Sequence, residues 1–326
     1  MRLTNNIISK NYLKSLNKSL NELSQMNALI AAKRKYMNFA DDPINAMRAM
    51  KVRQNINKID VYVENLREAA DIFSQYESVI SNVNNIVSDA LVQVSQGMNG
   101  TSDATARYTI AQSLRAFQDA ILAAVNTQFA GKYIFSGETV GVPPFSISEE
   151  EDTKGMLLYK GMLVDNISEV TEKRYIDIGL GLSLDEYSNV IPNTARDIAV
   201  TGLELLGCGV DEDGYTKNLY NMLGIIAKKF EENDMSGMDV YYEKLQKIAD
   251  NVRVQYVGVG EKTEYINFFL ERLDSEQFNL KVKQSRLEGL DLAEAITTFG
   301  ELELAYNACL QIGTKILQPS LLDFLD

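Results

Sequence analysis

The feature that most constrains this chain is an unbroken heptad pattern that runs from Val52 to Val94. Thirteen positions at alternating four- and three-residue spacing include eleven apolar residues, and the exceptions are Glu77 and Asn84. The thirteen positions are Val52, Ile56, Ile59, Val63, Leu66, Ala70, Phe73, Glu77, Ile80, Asn84, Val87, Leu91 and Val94. No proline or glycine occurs from 44 to 96. The pattern therefore predicts one helix of about 50 residues, roughly 75 Å long, with a coiled-coil seam.

A second seam is predicted near the start of the chain. Eight positions at the same alternating spacing include six apolar residues: Leu13, Leu16, Leu20, Leu23, Asn27, Ile30, Arg34 and Met37. A single amphipathic helix of about 30 residues cannot bury such a stripe by itself. We therefore expect this helix to pack on another part of the chain or on another copy of it.

The sequence Asp41-Asp42-Pro43 separates these two helices. Asp42 suits the N-cap position, and Pro43 suits the first helical position, where its missing N–H would be unpaired in any case. Both carboxylates would lie near the positive end of the helix dipole. No His, Glu or Cys nearby could complete a catalytic or metal-binding pair of aspartates, so we interpret the motif as the helix cap of a domain boundary.

The C-terminal part of the chain returns to helical periodicity. Apolar residues recur every seven positions at Val259, Ile266, Leu273, Leu280 and Leu287. A broad apolar stripe follows, at Leu292, Ile296, Phe299, Tyr306, Leu310, Ile316 and Leu317, and the chain closes with Leu321 and Leu322 in an apolar run. An apolar terminus of this kind has little reason to exist on a soluble monomer, so it predicts an assembly interface.

The middle of the chain changes its period. Residues 137–214 hold three of the five prolines. From Ile176 to Leu184, apolar residues alternate with polar residues and glycines, which predicts a strand with one buried face. The segments 133–135 and 156–159 are further predicted strands. The sequence therefore predicts a small β-rich domain inserted into a helical framework.

Together these patterns predict a mainly α fold with an inserted β-rich domain, in which both chain ends build a long antiparallel helical coiled-coil rod. We predict a terminal helical assembly domain (1–40 plus 285–326), a helical rod domain (41–136 plus 215–284) and an inserted outer domain (137–214). The terminal segments carry opposite net charges, +6 for 1–40 and −5 for 285–326. Opposite charges favour the pairing of the two ends.

The composition argues against catalysis and against a nucleic-acid partner. The chain has no His, a net charge of −13, and two cysteines whose spacing fits neither a zinc site nor a disulfide framework. The acidic runs at 149–152 and 211–214 lack the ligand spacing of a calcium loop. We therefore predict no catalytic residues, no metal and no cofactor. No apolar run is long enough for a transmembrane helix, and the start does not resemble a signal peptide.

The chain also resembles the flagellin-type axial proteins of the bacterial flagellum. The resemblance lies in the opening residues 1–8, in Asp41-Asp42-Pro43, in Phe129–Gly137 as the entry into the central domain, and in Leu292–Ile296 with the stripe that follows it. It covers nearly the whole chain in order. A glycine and a proline usual before the boundary motif are absent, which leaves open whether the first helix breaks near residues 31–40.

This resemblance implies a structural role at the junction between the flagellar hook and the filament, outside the cell. It implies export without a cleaved signal peptide, through the flagellar type III apparatus. The implied partners are copies of the chain in a ring, hook-associated protein 1, flagellin, and a FlgN-type flagellar export chaperone at the C-terminal region. No nucleic acid and no membrane is implied. The alternatives are flagellin itself, a secreted coiled-coil adhesin, and an enzymatic role for the acidic insertion.

Overall fold

The computed structural model describes residues 2–100, 102–137, 141–151, 153–169, 172–187, 189–191 and 194–316, with side chains from residue 7 to residue 314. The helices are α1 (Arg2–Ala32), α2 (Pro43–Met98), α3 (Ala104–Val125), α4 (Gly202–Leu206), α5 (Leu219–Glu231), α6 (Met238–Glu288) and α7 (Leu292–Ile316). Short strands occur only between α3 and α4 in these residues, so the predicted fold class is confirmed. None of the helices described here is long and apolar enough to cross a membrane.

The chain divides into two compact units, one of residues 1–58 with 275–326 and the other of residues 59–274. The first unit contains both terminal helices, the start of α2 and the end of α6. The second contains the remaining parts of α2 and α6, together with α3, α5 and all the strands. The three-part division expected from the sequence stays a prediction.

In the first unit, backbone hydrogen bonds join the segment after α1 to the segment after α6. Arg34 and Gly289 form an antiparallel bridge, and the N–H of Lys35 donates to the carbonyl of Glu288 at 2.8 Å. The buried carboxylate of Glu288 also accepts from Arg53 Nε at 2.9 Å. These contacts form a clamp, here defined as residues 33–35, 288–290 and Arg53, which ties both terminal helices to α2.

Helix α1 ends at Ala32, so the predicted continuation of its seam through Arg34 and Met37 is wrong. Lys33 adopts a left-handed φ of 53°, a conformation that helical residues do not adopt. The N–H groups of Lys33 and Arg34 then close the helix by donating to Ile30 and Leu29. The clamp holds the chain in this turn, which explains why the helix stops without a glycine or a proline.

The buried stripe of α2 follows only half of the predicted heptad pattern. Every seventh residue from Val52 to Val94 is buried, as predicted. The other seam positions agree at Ile56 and Val63 but then move by one residue. The buried residues there are Ala69, Tyr76, Val83 and Ala90. The predicted Ala70, Glu77, Asn84 and Leu91 are half-buried instead.

The change of register consists of two successive three-residue steps, from Val63 to Leu66 and from Leu66 to Ala69, after which the alternation of four and three residues resumes. An added three-residue step rotates the buried face of a helix relative to a continuous heptad repeat. The result places Tyr76 inside, where its hydroxyl donates to the Ile134 carbonyl at 2.6 Å. Burial raises the pKa of Tyr76 to about 12, so the phenol stays a neutral donor.

Tyr76 also connects α2 to the chain that follows α3. Its ring packs edge-to-face against Phe73 and Phe135, with centroid distances of 5.4 Å and 5.2 Å. Both phenylalanines are fully buried. A carboxylate at the same point would be desolvated without a partner, so Glu77 is excluded from the seam and the tyrosine occupies it.

Helices α3 and α5 pack in antiparallel orientation in the second unit. Arg107 near the start of α3 donates to Asn233 just after α5, while Gln118 further along α3 donates to the carbonyl of Tyr220 near the start of α5. Gly224 of α5 faces Gln118, and a Cβ there would overlap its amide. On α6, the predicted heptad residues Val259, Ile266 and Leu273 are buried, which confirms that part of the pattern.

The strands form three small antiparallel sheets in the described residues. Gln128–Phe129 (β1) pairs with Lys132–Tyr133 (β2), and Phe145–Ile147 (β3), Leu157–Tyr159 (β4) and Met162–Leu163 (β5) form a three-stranded sheet. Tyr175–Ile176 (β6) pairs with Arg196–Asp197 (β7). The predicted strand at 156–159 is confirmed at 157–159, whereas the one predicted at 133–135 is wrong beyond Tyr133, because residues 134 and 135 lie in a turn.

The predicted long strand from Ile176 to Leu184 is wrong beyond its first residues. Gly179 and Gly181 both have φ of +83°, which is incompatible with an extended strand. Ile178 is buried, but Leu182 and Leu184 are exposed. Alternation of apolar residues with glycine therefore produced an irregular segment, because glycine gives up its extended conformation at little cost.

The two registers of α2 predict different sensitivities at adjacent positions. We expect Tyr76→Ala to lower the free energy of unfolding by about 3–5 kcal/mol, because it removes a buried ring and its hydrogen bond. Glu77→Ala should change it by less than about 0.5 kcal/mol. Denaturant titration of the two variants measures both values. A larger loss for Glu77→Ala would restore the continuous heptad register.

Candidate assembly interface

Helices α1 and α7 pack against each other in antiparallel orientation. Tyr12 near the start of α1 lies against Gly313 near the end of α7, and the Arg34–Gly289 bridge lies at the opposite end of the pair. The inward residues of α1 follow alternating three- and four-residue spacing: Ser9, Tyr12, Leu16, Ser19, Leu23, Met26 and Ile30. The inward residues of α7 do the same: Ala295, Phe299, Leu302, Tyr306, Cys309 and Gly313.

The closest approach of the two helices depends on Gly313. A Cβ at this position would overlap the hydroxyl and ring of Tyr12. Because α7 has only hydrogen at this site, the aromatic ring can lie across the helix backbone. The tyrosine therefore fixes how far the two terminal helices can slide along each other.

The contact with α7 uses only half of the leucine seam predicted for α1. Leu16 and Leu23 are half-buried in the helix pair. Leu13 and Leu20 are 50% and 44% exposed and do not belong to it. Their places are taken by Tyr12 and by the buried Ser19, whose hydroxyl has no hydrogen-bond partner.

The predicted interface residues of α7 likewise include half-buried residues that face α1 and exposed residues that do not. Phe299 and Tyr306 are half-buried on the side that faces α1, whereas Leu310 is 40% exposed. Ile316 is the last residue of α7, and its side chain lies outside the described part of the structure. Leu317, Leu321 and Leu322 also lie outside the described residues.

Further exposed apolar residues extend this outer surface. Leu292 and Ile296 of α7 belong to the predicted stripe, whereas Leu304 and Ile312 of α7 and Ile7 and Ile8 of α1 were not predicted. Leu304 has the largest exposed fraction among them, 72%. We call the exposed apolar residues of α1 and α7, including Leu13, Leu20 and Leu310, the outer stripe. A search for a second apolar face on each helix, in addition to the strongest one, would have found these residues.

The opposite charges of the two helices do not pair within the chain. Lys10, Lys14 and Lys18 are exposed on α1, and Glu301 and Glu303 are exposed on α7. Among the described side chains, no ion pair joins α1 to α7; the one ion pair of α1 links Lys18 to Glu22 at 3.7 Å. The predicted pairing of the ends thus occurs through apolar contacts, and these charges stay available to other chains.

The boundary motif forms the start of α2. Asp42 Oδ1 accepts from the N–H of Asn45 at 3.0 Å, and Pro43 is the first helical residue. Hydrogen bonds from the backbone and side chain of Asn45 hold the pKa of Asp42 below its ordinary value. Asp41 closes the preceding turn instead, because its Oδ2 accepts from the N–H of Asn38 at 3.0 Å.

The acidic loop at 211–214 is organised around a lysine. Lys244 forms ion pairs with Asp211 and with Asp213, the latter at 2.9 Å. Hydrogen bonding to Lys244 is the main cause that lowers the pKa of Asp211. Within the described ranges, no three His, Cys, Asp or Glu side chains are grouped so that they could hold a metal ion.

The N-terminal part of the chain matches a family model of known proteins. Residues 3–139 match the family model of the bacterial flagellin N-terminal helical region. This match includes α1, the cap motif, α2 and α3. It covers the N-terminal half of the candidate interface.

Three curated relatives extend the comparison. Flagellar hook-associated protein 3 of Escherichia coli is 26% identical over 147 residues, so the match spans about half of either chain, 45% of this one and 46% of the relative. Flagellar hook-associated protein 3 of Salmonella typhimurium is 25% identical, with 98% of both chains covered. Flagellin of Bacillus subtilis is 24% identical, covering 92% of this chain and 90% of the relative.

A solved structure from Vibrio parahaemolyticus, described as a flagellar hook-associated protein, has the same fold. Its TM-score is 0.61 at 17% identity, and the match covers 76% of this chain and all of that one. The family model, the relatives and the fold agree with one another, and they confirm that this chain resembles the flagellin-type axial proteins, with hook-associated protein 3 among its relatives.

Proposed function

We propose that this chain is a structural junction protein of the bacterial flagellum that joins the hook to the filament. In this role hook-associated protein 1 lies on the hook side and flagellin on the filament side. The chain acts by assembly and not by catalysis. The relatives named hook-associated protein 3 support this assignment.

The observation that carries the proposal is the outer stripe. Helices α1 and α7 bury one face of each other and leave large apolar side chains exposed on their outer surfaces, including Leu13 and Leu20 on α1 and Leu304 on α7. Exposed apolar surface of this extent marks an interaction site. Because a two-helix pair has no third element to cover these side chains, neighbouring subunits are the natural cover.

The charges support packing between copies of the chain. The lysines of α1 and the glutamates of α7 are exposed and form no ion pair between the two helices among the described residues. In a ring of identical subunits, α1 of one copy lies beside α7 of the next, since a heterologous contact repeats around the ring. Opposite charges then align the neighbours and disfavour contacts between like helices.

The remaining partners follow from the same chain ends. A flagellar export chaperone of the FlgN type binds the C-terminal region before assembly and covers its apolar residues. The chain is exported from the cell and functions outside it. Export favours ends that unfold readily, and the half-buried contacts of α1 with α7 are consistent with this requirement.

Flagellin itself is the second candidate. The alignment with Bacillus subtilis flagellin over 90% of that protein favours it. The two candidates differ in copy number, because a junction protein forms one short segment per flagellum and flagellin forms the whole filament. Counting the copies per flagellum by quantitative mass spectrometry, relative to the hook protein, decides between them.

Deleting the gene should leave cells with hooks that carry no filament, and flagellin should accumulate in the medium. Electron microscopy and immunoblots of culture supernatants measure both effects. Expression of the intact chain from a plasmid should restore filaments. Normal filaments on the deletion strain would contradict the junction role, whereas the loss of all filament subunits from cells and medium would favour flagellin.

Substitution of Leu13→Ser together with Leu20→Ser should prevent filament attachment without unfolding the chain. Both side chains are exposed, so we expect the free energy of unfolding to change by less than about 1 kcal/mol. Asn17→Ser, one turn from each leucine and equally exposed on α1, is the matched control and should restore filaments fully. Filament counts in the complemented deletion strain, with circular dichroism of the purified variants, test this. Full attachment by the double variant would show that the outer stripe is not an assembly surface.

A further inference from the structure

A basic groove lies between α2 and α6 in the first unit. Its floor consists of Val52, Leu280 and Leu287, and its rim carries Arg48, Lys51 and Lys283. Val52 is buried, the two leucines are half-buried, and the three cations are exposed. The groove therefore offers an apolar floor bordered by positive charge.

Among the cations of this groove, only Arg48 interacts with an acid in the described part of the chain, the Asp42 carboxylate at the start of α2. None of the three forms an ion pair there, and no carboxylate lines the groove. This is unusual in a chain whose net charge is −13. The groove therefore fits a partner segment that combines apolar side chains with acidic ones.

Residues 183–191 of the second unit form a hairpin with that composition at its tip. The N–H of Ile191 donates to Ser183 at 3.0 Å, and the N–H of Asp185 donates to Asn189 at 2.8 Å. The Asp185 carboxylate accepts from the N–H groups of Tyr187 and Asn189 at 2.9 Å and 2.8 Å. These hydrogen bonds join the described residues on the two sides of the turn, 183–187 and 189–191.

The side chains displayed by this hairpin are apolar and acidic. Tyr187 is 84% exposed, and Leu182 and Leu184 are also exposed on the strand that leads to it. Glu186 is exposed beside Tyr187, and no basic residue occurs from 180 to 191. An exposed tyrosine flanked by leucines is typical of the centre of a protein interface.

We propose that the hairpin of one copy docks in the basic groove of a second copy. Tyr187 and Leu184 cover the floor formed by Val52, Leu280 and Leu287, while Glu186 lies near the cations of the rim. Charge complementarity identifies the occupant, because the hairpin supplies the acid that the groove lacks. The contact rests on the proposed assembly of the chain and adds to it a second interface, remote in sequence from the terminal helices.

Such a contact joins different surfaces of two identical chains, so a pair joined by one contact keeps a free groove on one copy and a free hairpin on the other. Heterologous contacts of this kind form rings when the rotation closes and open helices when it does not. The proposal therefore assigns to the inserted region a part in holding neighbouring subunits in register.

Site-specific photocrosslinking tests this contact in the full-length chain. A benzoylphenylalanine introduced in place of Tyr187 should crosslink to peptides of residues 48–55 or 280–287. Mixing isotopically labelled and unlabelled chains shows by mass spectrometry that the two ends of the crosslink belong to different copies. The same crosslinker in place of Val142, which is also highly exposed in the second unit, is the matched control and should give no crosslink to the groove.

Exchanging a charge of the groove with a charge of the hairpin provides a second test of the contact. Lys51→Glu should reduce the groove crosslink by about threefold or more, and adding Glu186→Lys to the same chain should restore it, since rim charges contribute mainly to orientation and encounter. Lys228→Glu on α5, an exposed lysine outside the groove, should leave the yield unchanged. Equal losses for Lys51→Glu and Lys228→Glu, or no recovery in the exchanged chain, would overturn the proposed pairing.

The experiment is run on purified chain and on flagella from the complemented deletion strain. Crosslinks from position 187 to other surfaces only, in flagella that carry filaments, overturn the hairpin contact while the junction role stands. A crosslinker in place of Asn55 that captures residues 317–326 would assign the groove to the C-terminal segment and also overturn it. Failure of the intact chain to restore filaments tests the junction role separately.

Discussion

Burial of every seventh residue of α2 is the constraint on which the rest of the structure depends. From Val52 to Val94 these positions are almost completely excluded from solvent. A helix of 56 residues cannot hide such a stripe alone, so it needs packing partners. Phe230 of α5 lies against Gly97, and the Ile134 carbonyl accepts from Tyr76. A polar residue at any of these positions would lose its hydration without gaining a partner, which leaves little freedom at the stripe.

Between these fixed positions, either of two adjacent residues can face the seam, and the one that does so determines which side chains remain exposed. In α2 the seam turns toward Tyr76, because its phenol can donate to the Ile134 carbonyl while its ring packs on Phe135. In α1 the corresponding turn is toward Tyr12, whose ring lies over Gly313. The same rotation that buries Tyr12 leaves Leu13 and Leu20 outside. The register of each helix therefore determines both which residues pack inside the chain and which remain exposed for contacts with other copies.

The sequence alone predicted the four long helices α1, α2, α6 and α7 and the cap at Asp42-Pro43, since these depend on spacing and on local backbone chemistry. The sequence did not predict which residues of α1 and α2 face the seam. In each of the adjacent pairs Tyr12–Leu13 and Tyr76–Glu77, either residue fits an alternating three- and four-residue spacing. Between Leu13 and Tyr12, hydrophobicity favours the leucine at the seam, but the structure places the tyrosine there because its ring packs against Gly313. Tyr76 faces the seam because the Ile134 carbonyl accepts its hydrogen bond. The end of α1 was missed for a related reason, because residues remote in sequence hold the turn. The N–H of Leu290 donates to the carbonyl of Lys33, and the carbonyl of Glu288 accepts from the N–H of Lys35.

The distribution of charge extends the same argument from folding to assembly. A chain with net charge −13 repels its own copies at long range, and screening reduces this repulsion beyond about 8–10 Å. Association then requires local sites at which positive charge faces outward. The lysines of α1 and the cations around Val52 are such sites, and both lie beside apolar surface. Acidic, apolar segments occur elsewhere in the chain, at the hairpin and on α7. Electrostatics therefore favours contacts in which a basic surface meets an acidic one and disfavours contacts between like surfaces.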